Sequence, residues 1–448
     1  MTWADAAAGR GVAGVVTAHH RRRLARLGWQ GLLDASGEEW APGQPPPRQD
    51  NALEILVDGA EVLSAMAREI RAARSYVYLA GWNFDPEFLF VRTPAPATVR
   101  EVLAEVAQRV TVRVLAWGAL DTRERPMHCH HEKTIVVDGR VAFVGGIDLT
   151  GLAGDRWDTT SHPPRASVGW HDAAALVRGP VVFDLDGHFR TRWREVTGED
   201  LPAPPPPAAA GTTTVQMLRT VPEGMYRAVP AGDFRILRSY LAALRSATRL
   251  IYLENQFLWS PEVVAVLEEK LRGAPHDDFR LLVVLPVKPD SGNDDTRGGL
   301  GVLEEADSGR GRLLACGLRP HSGVRAGQQI YVHAKVGIVD DRWLTLGSAN
   351  LNEHSLLNDT EVNLVTRDRA IARETREKLW AEHLEVPREA VVGDPAGIVD
   401  RLWRPIAEQQ AALISGGRPP THRLTALSGL SRRSGLLLGP LQGLFVDG

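Results

Sequence analysis

Two segments of the chain repeat one pattern of reactive side chains, His-x-Lys-x4-Asp. The residues are His131, Lys133 and Asp138 in the first copy and His333, Lys335 and Asp340 in the second. Residues two apart in a β-strand share a face, so each histidine is expected to project together with its lysine. Such a pair suits an anionic phosphodiester, because the ammonium neutralises phosphoryl oxygens while the imidazole attacks or donates a proton. Each aspartate falls at odd spacing near a turn, and we expect it to be structural.

Small and polar residues follow each copy after a second apolar run. Gly146 and Asp148 follow the first copy, and Ser348 and Asn350 follow the second. Glycine or serine permits close approach of the backbone to a phosphate, and the side chains of Asp148 and Asn350 can hydrogen-bond to a motif lysine or to a ligand. We therefore expect these four residues to bind the phosphate.

Two carboxylates stand directly before later strand-like runs. Asp172 precedes residues 173–177, and Glu361 precedes residues 362–365. We expect them to orient the two motif histidines through the second ring nitrogen, which fixes the tautomer and the basicity of an imidazole.

A cluster of potential metal ligands, His128, Cys129, His130 and His131, surrounds the first motif histidine. A structural zinc usually draws its ligands from two separated pairs, and the chain has no Cys-x-x-Cys partner segment. We therefore expect no metal and no cofactor, with His128 and His130 facing away or lining the cleft entrance. The two cysteines of the chain cannot form a disulfide framework, which fits a reducing compartment or indifference to redox conditions.

The two halves of the chain share one succession of elements. Each half shows an amphipathic helix, an apolar strand, a second helix, a further strand, and then a motif strand with a hairpin-like return. The histidines His131 and His333 are 202 positions apart, as are Asp138 and Asp340. The spacing is smaller upstream, which places an insertion in residues 290–328, where we expect a long functional or mobile loop.

This repeat predicts an α/β fold of two similar α/β/α sandwich halves with mixed sheets, related by a pseudo-twofold axis, with one active site at their interface. Neither half is then expected to work alone. A stretch rich in proline and alanine separates the halves. The predicted divisions are an N-terminal extension (1–50), a first half (51–200), a linker (201–214), a second half (215–390), and a C-terminal helical segment with a tail (391–448).

Composition restricts the class of protein. The chain has 448 residues, 44% hydrophobic and 24% charged, with a formal net charge of −3. This balance gives no global electrostatic footprint for nucleic acid, and no run of 18 apolar residues predicts a transmembrane helix. We expect a cytoplasmic monomer that binds no nucleic acid. The basic residues 19–23 suit either a solvated helix face, which we favour, or contact with anionic lipid, and the apolar tail 436–446 is expected to pack onto the body.

The motifs resemble the two signatures of the phospholipase D superfamily. Residues 131–138 with 145–146 are similar to the first signature, and residues 333–340 with 347–350 are similar to the second. Residues 251–257, 81–85 and 156–159 resemble landmarks of the phospholipid-cleaving branch. The resemblance extends over roughly residues 50–365.

The resemblance implies a two-step, metal-independent displacement on a phospholipid. His131 is assigned by analogy as the nucleophile that forms a phosphohistidine, and His333 as the acid/base that protonates the leaving alcohol and then activates water or another alcohol. The implied activity is hydrolysis, with transphosphatidylation when an alcohol is the acceptor, and with peripheral contact to a membrane. A cardiolipin-type phospholipid synthase and a nuclease of the same superfamily remain the alternatives.

Overall fold

One mixed β-sheet passes through both halves of the chain in the computed structural model, which describes residues 3–37, 40–116, 128–150, 170–288, 293–321 and 330–428. The first half contributes β1 (Arg48–Val57), β2 (Tyr76–Gly81), β3 (Leu89–Val91), β4 (Ala97–Thr98), β5 (Thr111–Ala116), β6 (Thr134–Val137), β7 (Val141–Gly145), β8 (Trp170–His171) and β9 (Ala173–Arg178). The second half contributes β10 (Thr213–Val221), β11 (Asp233–Phe234), β12 (Leu250–Glu254), β13 (Arg280–Val284), β14 (Leu313–Leu318), β15 (Tyr331–Val332), β16 (Val336–Val339), β17 (Trp343–Gly347), β18 (Glu361–Thr366) and β19 (Leu424–Ala426).

The order of strands is the same on both sides of a central junction. At that junction β1 pairs antiparallel with β10, with Arg48 opposite Val215 and Asn51 opposite Thr213. Outward from it, β1-β9-β7-β6-β2-β5 in the first half matches β10-β18-β17-β16-β12-β13 in the second, which then adds β14 and β19. The predicted α/β class with mixed sheets is confirmed, whereas the twofold axis stays a prediction. The junction itself joins the two expected sheets into one.

Ten helices lie within the described residues and cover the sheet. They are α1 (Trp3–Arg26), α2 (Asp58–Arg71), α3 (Val99–Ala107), α4 (Val181–Thr197), α5 (Arg235–Ser246), α6 (Pro261–Arg272), α7 (Asn293–Asp307), α8 (Arg369–Leu384), α9 (Pro395–Ile398) and α10 (Arg404–Ser415). No helix in the described ranges is both long and apolar enough to cross a membrane.

Alternation along the strands divides the core into three regions. In β2, Val77 and Leu79 pack against α2 and α3, while Tyr78 points to the opposite face. In β12, Leu253 packs towards α5, α6 and α7, while Tyr252 points to the opposite face. These opposite faces, together with α4 and α8, form one apolar core that contains residues of both halves. The period of two in each strand is what allows it to bury both faces.

The hairpins that follow the two motifs have the same turn. Asp138 and Gly139 adopt φ of 54° and 63°, and Asp340 and Asp341 adopt φ of 52° and 49°. Positive φ at both central positions matches the right-handed twist of the flanking strands. Glycine takes this conformation without strain, and aspartate tolerates it better than most side chains.

The insertion was predicted as a long loop in residues 290–328, but its described part, residues 293–321, is largely regular structure. It forms helix α7 and strand β14, which pairs in parallel with β13. The glycine and aspartate residues of this stretch favoured a loop in the sequence analysis. In the structure, Leu300, Leu303 and Ala306 form the buried face of α7. The predicted landmark 156–159 and the predicted tail contact of 436–446 lie outside the described residues.

Candidate active site

The backbone of each motif histidine is hydrogen-bonded to the other half of the chain. The His131 N–H donates to the Thr360 carbonyl oxygen at 3.1 Å, and the His333 N–H donates to the His171 carbonyl oxygen at 2.8 Å. Both motif histidines immediately precede their strands, β6 and β16. In each half, the segment that leads into the motif strand is therefore hydrogen-bonded to the other half.

The histidine side chains cross in the same way. His131 Nδ1 donates to Glu361 Oε1 at 2.8 Å, and His333 Nδ1 donates to Asp172 Oδ2 at 2.7 Å. All four side chains are buried. A carboxylate at Nδ1 holds the proton there, so Nε2 carries the lone pair that a nucleophile or base requires. The structure thus places both predicted carboxylates against the motif histidines, each carboxylate serving the histidine of the opposite half.

The motif lysines have different partners in the two halves. Lys133 Nζ lies 3.3 Å from Asp148 Oδ2 and donates to the His131 carbonyl oxygen at 2.6 Å. Lys335 Nζ donates to Gln256 Oε1 at 3.2 Å. Gln256 Oε1 also accepts from Asn350 Nδ2 at 3.3 Å. Each lysine also donates to the carbonyl oxygen of its own motif histidine, so the halves differ in that Lys133 contacts Asp148 and Lys335 contacts Gln256.

Gln256 is a site residue that the sequence reasoning quoted for its resemblance and gave no role. It lies just beyond the end of β12, the strand that pairs with motif strand β16. Its amide nitrogen donates to the Tyr331 hydroxyl at 3.0 Å, which orients the amide oxygen towards Lys335. The available signal was the polar run Glu254-Asn255-Gln256 at the end of an otherwise apolar strand.

Gly146 and Ser348 lie against the carboxylates, which differs from the phosphate contact predicted for them. A Cβ atom at position 146 would stand 2.3 Å from Asp172 Oδ1, so only glycine leaves room for that carboxylate. At the matching position of the second half, Ser348 Oγ donates to Glu361 Oε2. Gly146 leaves space for the Asp172 carboxylate, and Ser348 donates a hydrogen bond to Glu361. Both arrangements keep a carboxylate against a motif histidine.

The two motif aspartates stand at the opposite end of each motif strand from its histidine. Asp138 accepts from the backbone N–H groups of Arg74, Ser75 and Tyr76 at 2.7 to 3.0 Å. Asp340 accepts from the backbone N–H groups of residues 248–250 and from the Thr248 hydroxyl, each at 2.7 Å. Burial opposes ionisation of Asp340, but these hydrogen bonds lower its pKa. Both carboxylates tie the motif hairpin to the start of the neighbouring strand.

Burial controls the electrostatics of the crossed pairs. It raises the pKa of Asp172 to about 7 and that of Glu361 to about 8. Burial and the positive charges of Lys335 and Lys133 lower the pKa of His333 well below its ordinary value. Burial therefore disfavours a charge on the carboxylates and on His333 alike, and the two ammonium groups further oppose protonation of the His333 ring until an anion enters the site.

Aromatic rings flank both histidines. The Trp82 ring lies 6.4 Å from the His131 ring and 5.9 Å from Lys133 Nζ. The Trp170 ring lies 4.5 Å from the His333 ring and 5.0 Å from the Tyr331 ring. These half-buried tryptophans form the apolar border of the site. Phe257, which follows Gln256, is a core residue with 1% exposure.

The cluster around the first motif connects the halves. His130 Nδ1 lies 2.8 Å from Thr360 Oγ1, and His128 Nδ1 contacts the carbonyl oxygen of Asn358. Burial lowers the pKa of His130 to about 3, which keeps it neutral. The Cys129 N–H donates to Asp359 at 2.8 Å. These residues bind the segment before Glu361, and so they help to position that carboxylate.

Comparisons with known proteins find a family model and curated relatives that are similar to this chain. Residues 282–382, which include the second motif, match the family model described as cardiolipin synthase, PLD-like domain. The chain is 25% identical over 463 aligned residues to phospholipase D A of Dictyostelium discoideum, covering 76% of this chain and 36% of that protein. It is 25% identical over 457 residues to phospholipase D1 of Schizosaccharomyces pombe, covering 72% and 33%. The chain thus spans about a third of the length of these two curated relatives.

A solved structure shares the fold. Phosphatidylserine synthase of Haemophilus influenzae superposes with a TM-score of 0.51 at 13% identity, covering 75% of this chain and 87% of that one. The family model and the curated relatives support a likeness of this chain to the phospholipase D superfamily.

Proposed function

We propose that this chain is a phospholipase D-type phosphodiesterase that cleaves phospholipids through a phosphohistidine intermediate. The observation that carries the proposal is the pair of crossed dyads, His131 with Glu361 and His333 with Asp172. Two oriented imidazoles beside two lysines supply what in-line displacement at phosphorus requires, namely a nucleophile, an acid and charge neutralisation. The curated relatives, named as phospholipases D, support this substrate class.

In the first step, His131 Nε2 attacks phosphorus and forms an N–P bond while the P–O bond to the headgroup alcohol breaks. His333 gives its Nε2 proton to the leaving oxygen. In the second step, His333 takes a proton from water, whose oxygen attacks phosphorus and breaks the N–P bond. The products are phosphatidic acid and the free headgroup alcohol, and both histidines return to their initial states. A different alcohol in place of water gives an exchanged phospholipid.

The site suits these two reaction steps because a bound substrate phosphate changes the charge balance of the site. An anion between Lys133 and Lys335 offsets the repulsion that lowers the pKa of His333. Substrate binding therefore favours the protonated His333 that the first step needs. We propose further that the protein acts as a monomer at a membrane surface in the cytoplasm, without a metal cofactor and without nucleic acid.

The test is a lipid assay with a competing alcohol. The protein is incubated with phosphatidylcholine micelles, with and without ethanol, in excess chelator. We expect phosphatidic acid without ethanol and phosphatidylethanol with it. His131→Gln and His333→Gln should each lower the rate by about 10³-fold or more. His276→Gln changes an exposed histidine and is the matched control with wild-type activity.

Other outcomes would replace the proposal. The description of the family model that matches residues 282–382 names a cardiolipin synthase. Accumulation of cardiolipin from phosphatidylglycerol, with no free headgroup released by water, would favour a phospholipid synthase. Cleavage of DNA with no reaction on lipid would favour a nuclease. Activity that disappears with chelator would contradict the metal-independent mechanism.

A further inference from the structure

A buried polar cluster lies directly behind Asp172, and the mechanism above does not use it. We call it the His171 cluster; its members are Asp58, His171, Tyr252, Glu254 and His383. All five side chains are 3% exposed or less. They come from both halves of the chain, at the start of α2, in β8, in β12 and in α8. Such a group of ionisable side chains is costly to bury without a specific arrangement of charge.

The contacts of His171 define its protonation state. Its Nδ1 lies 3.0 Å from Asp58 Oδ1, and its Nε2 lies 2.8 Å from Glu254 Oε2. Ionised carboxylates only accept hydrogen bonds, and a neutral imidazole has a single N–H. Both contacts are satisfied together only by the imidazolium. Burial opposes this charge, but Asp58 and Glu254 raise the pKa of His171 well above its ordinary value.

Glu254 is held as an anion by three donors. It accepts from His171, from His383 Nε2 at 2.9 Å and from the Tyr252 hydroxyl. Burial lowers the pKa of His383, so this histidine is a neutral donor. Although burial acts to raise the pKa of Glu254, the two histidines lower it. Glu254 therefore remains the counter-ion of His171.

The same donor atoms converge closely enough to be considered as a metal site, with His171, Glu254 and His383 as ligands. Their separations argue against it. Ligands at about 2.0 to 2.2 Å around a tetrahedral zinc ion stand roughly 3.3 Å or more from one another. The N···O separations of 2.8 and 2.9 Å are those of hydrogen bonds. The cluster is therefore better described as an ion-pair network.

The His171 cluster contacts the Asp172–His333 dyad through the backbone. The Asp58 N–H donates to the Asp172 carbonyl oxygen at 2.7 Å, and the Asp172 N–H donates to Asp58 Oδ1 at 2.8 Å. The His171 carbonyl oxygen accepts from the N–H of His333. Asp58 adopts φ of 59°, so it holds these contacts in a left-handed conformation. The cluster thus fixes both members of one dyad.

The position that matches His171 in the other dyad holds an uncharged residue, and the buried Arg192 on that side pairs with Glu132. Thr360 takes the place of His171 before Glu361, because its carbonyl oxygen accepts from the His131 N–H as that of His171 does from His333. Threonine carries no charge. The two dyads therefore differ in their surroundings although their histidines and lysines match.

We infer that His171 is a positioning residue, a buried imidazolium between Asp58 and Glu254 that keeps the Asp172 carboxylate ionised and aligned against His333. The effect of His171 on catalysis rests on the proposed function. The positive charge of His171 is independent of that function. The positive charge of His171 opposes the protonation that burial favours at Asp172, and Asp58 acts in the opposite direction. His171 thus makes the Asp172–His333 dyad electrostatically different from its counterpart.

The ionisable groups around these residues all enter this balance. Those facing His171 are Asp58 from α2, Tyr252 and Glu254 from β12, and Glu382 and His383 from α8. Those facing Asp172 are His333, Lys335, His171 and Asp58. Glu382 is paired with Arg423 at 3.5 Å.

The first test reads the charge of His171 without any substrate. The whole protein is labelled with ¹⁵N in its histidine rings, and the His171 signals are assigned by their loss in His171→Asn. We expect both ring nitrogens to be protonated from pH 6 to pH 9. A neutral tautomer at pH 7.5 would overturn the inference, as would a stoichiometric divalent ion in the purified protein that is lost in Glu254→Gln.

The second test is the pH dependence of kcat/KM, measured on phosphatidylcholine and on bis(4-nitrophenyl) phosphate. His171→Asn should raise the pKa of Asp172 and move the acidic limb up by about one pH unit. Asp58→Asn, which suits the left-handed backbone, should move the limb down. Thr360→Val, at the matching position, should change the rate without moving the limb. Equal scaling at all pH values in all three variants would leave His171 with a merely structural role and overturn the inference.

The two substrates separate failure of this inference from failure of the proposed function. If phosphatidylcholine is not cleaved but the generic diester is, the lipid proposal fails and the pH profile still tests His171. If lipid is cleaved while His171 is neutral, the proposed function stands and the inference about His171 fails.

Discussion

His131 donates its Nδ1 proton to Glu361, which lies 230 positions later and belongs to the other half of the chain. In the same way, His333 of the second half donates its Nδ1 proton to Asp172 of the first half. A histidine without its carboxylate loses both its tautomer and its orientation. Each half therefore holds one histidine and the carboxylate that the other histidine needs, and the site exists only where the halves meet.

Removing either carboxylate charge should impair catalysis more than folding. We expect Glu361→Gln and Asp172→Asn each to lower kcat by about 100-fold or more, because the amide no longer fixes the tautomer of the paired histidine. The measurement is kcat on micellar phosphatidylcholine, with thermal unfolding followed in parallel.

A surface pair supplies the control for this experiment. His321 Nε2 lies 2.7 Å from Glu385 Oε1, and both side chains are partly exposed. Glu385→Gln should leave kcat at the wild-type value. Wild-type kcat in Glu361→Gln or Asp172→Asn would show that the crossed pairs have no part in the reaction.

The motif aspartates should be needed for stability. Asp340→Ala leaves five donors without their acceptor, the fifth being the Arg342 guanidinium, and we expect a loss of about 2 to 4 kcal/mol in the free energy of unfolding. The pKa of Asp340 is lowered in the folded protein, so its contribution is present above the unfolded pKa and is lost as the pH falls through the folded pKa.

Urea unfolding at neutral pH measures this loss. The exposed Asp277→Ala is the control and should change the free energy by less than about 0.5 kcal/mol. The folded fraction of Asp340→Ala should keep near-normal kcat per active molecule. A stable Asp340→Ala protein without activity would instead place this carboxylate in the chemistry.

The sequence predicted most of the local structure. The motif strands and their hairpins follow from apolar runs interrupted by Asp138-Gly139 and Asp340-Asp341, which are local signals. The crossing of the dyads is not local. Asp172 follows the first motif and Glu361 follows the second, and the sequence alone does not decide which histidine each one meets.

Other features depended on long-range contacts. Strands β1 and β10 join the two sheets, but their pairing links residues more than 150 positions apart and leaves no pattern in either segment. Gln256 and the His171 cluster were also missed as functional residues. The role of Gln256 arises where β12 meets the second motif, and that of the His171 cluster where β12 and α8 meet β8 of the first half.

Position 146 should accept only glycine. Gly146→Ala would place Cβ 2.3 Å from Asp172 Oδ1 and displace that carboxylate from His333, and we expect kcat to fall by about 10- to 100-fold. Gly187 lies in α4, and a Cβ there would meet its nearest atom at 3.6 Å. Gly187→Ala should therefore keep full activity and raise the free energy of unfolding by about 0.5 to 1 kcal/mol. Equal kcat in both variants would contradict this account of Gly146.

Anion binding should be coupled to proton uptake at His333. Burial and the neighbouring lysines lower the pKa of this histidine in the empty site, and a phosphate between Lys133 and Lys335 would raise it again. Between these two pKa values, binding must draw a proton from the buffer. Calorimetric titration with inorganic phosphate near pH 6, in two buffers of different ionisation enthalpy, measures that proton number. We expect uptake of up to one proton in the wild type and much less in His333→Asn, which keeps both lysines. The same enthalpy in both buffers for the wild type would show that His333 does not change its protonation on binding, and His131 would then be the remaining histidine to test.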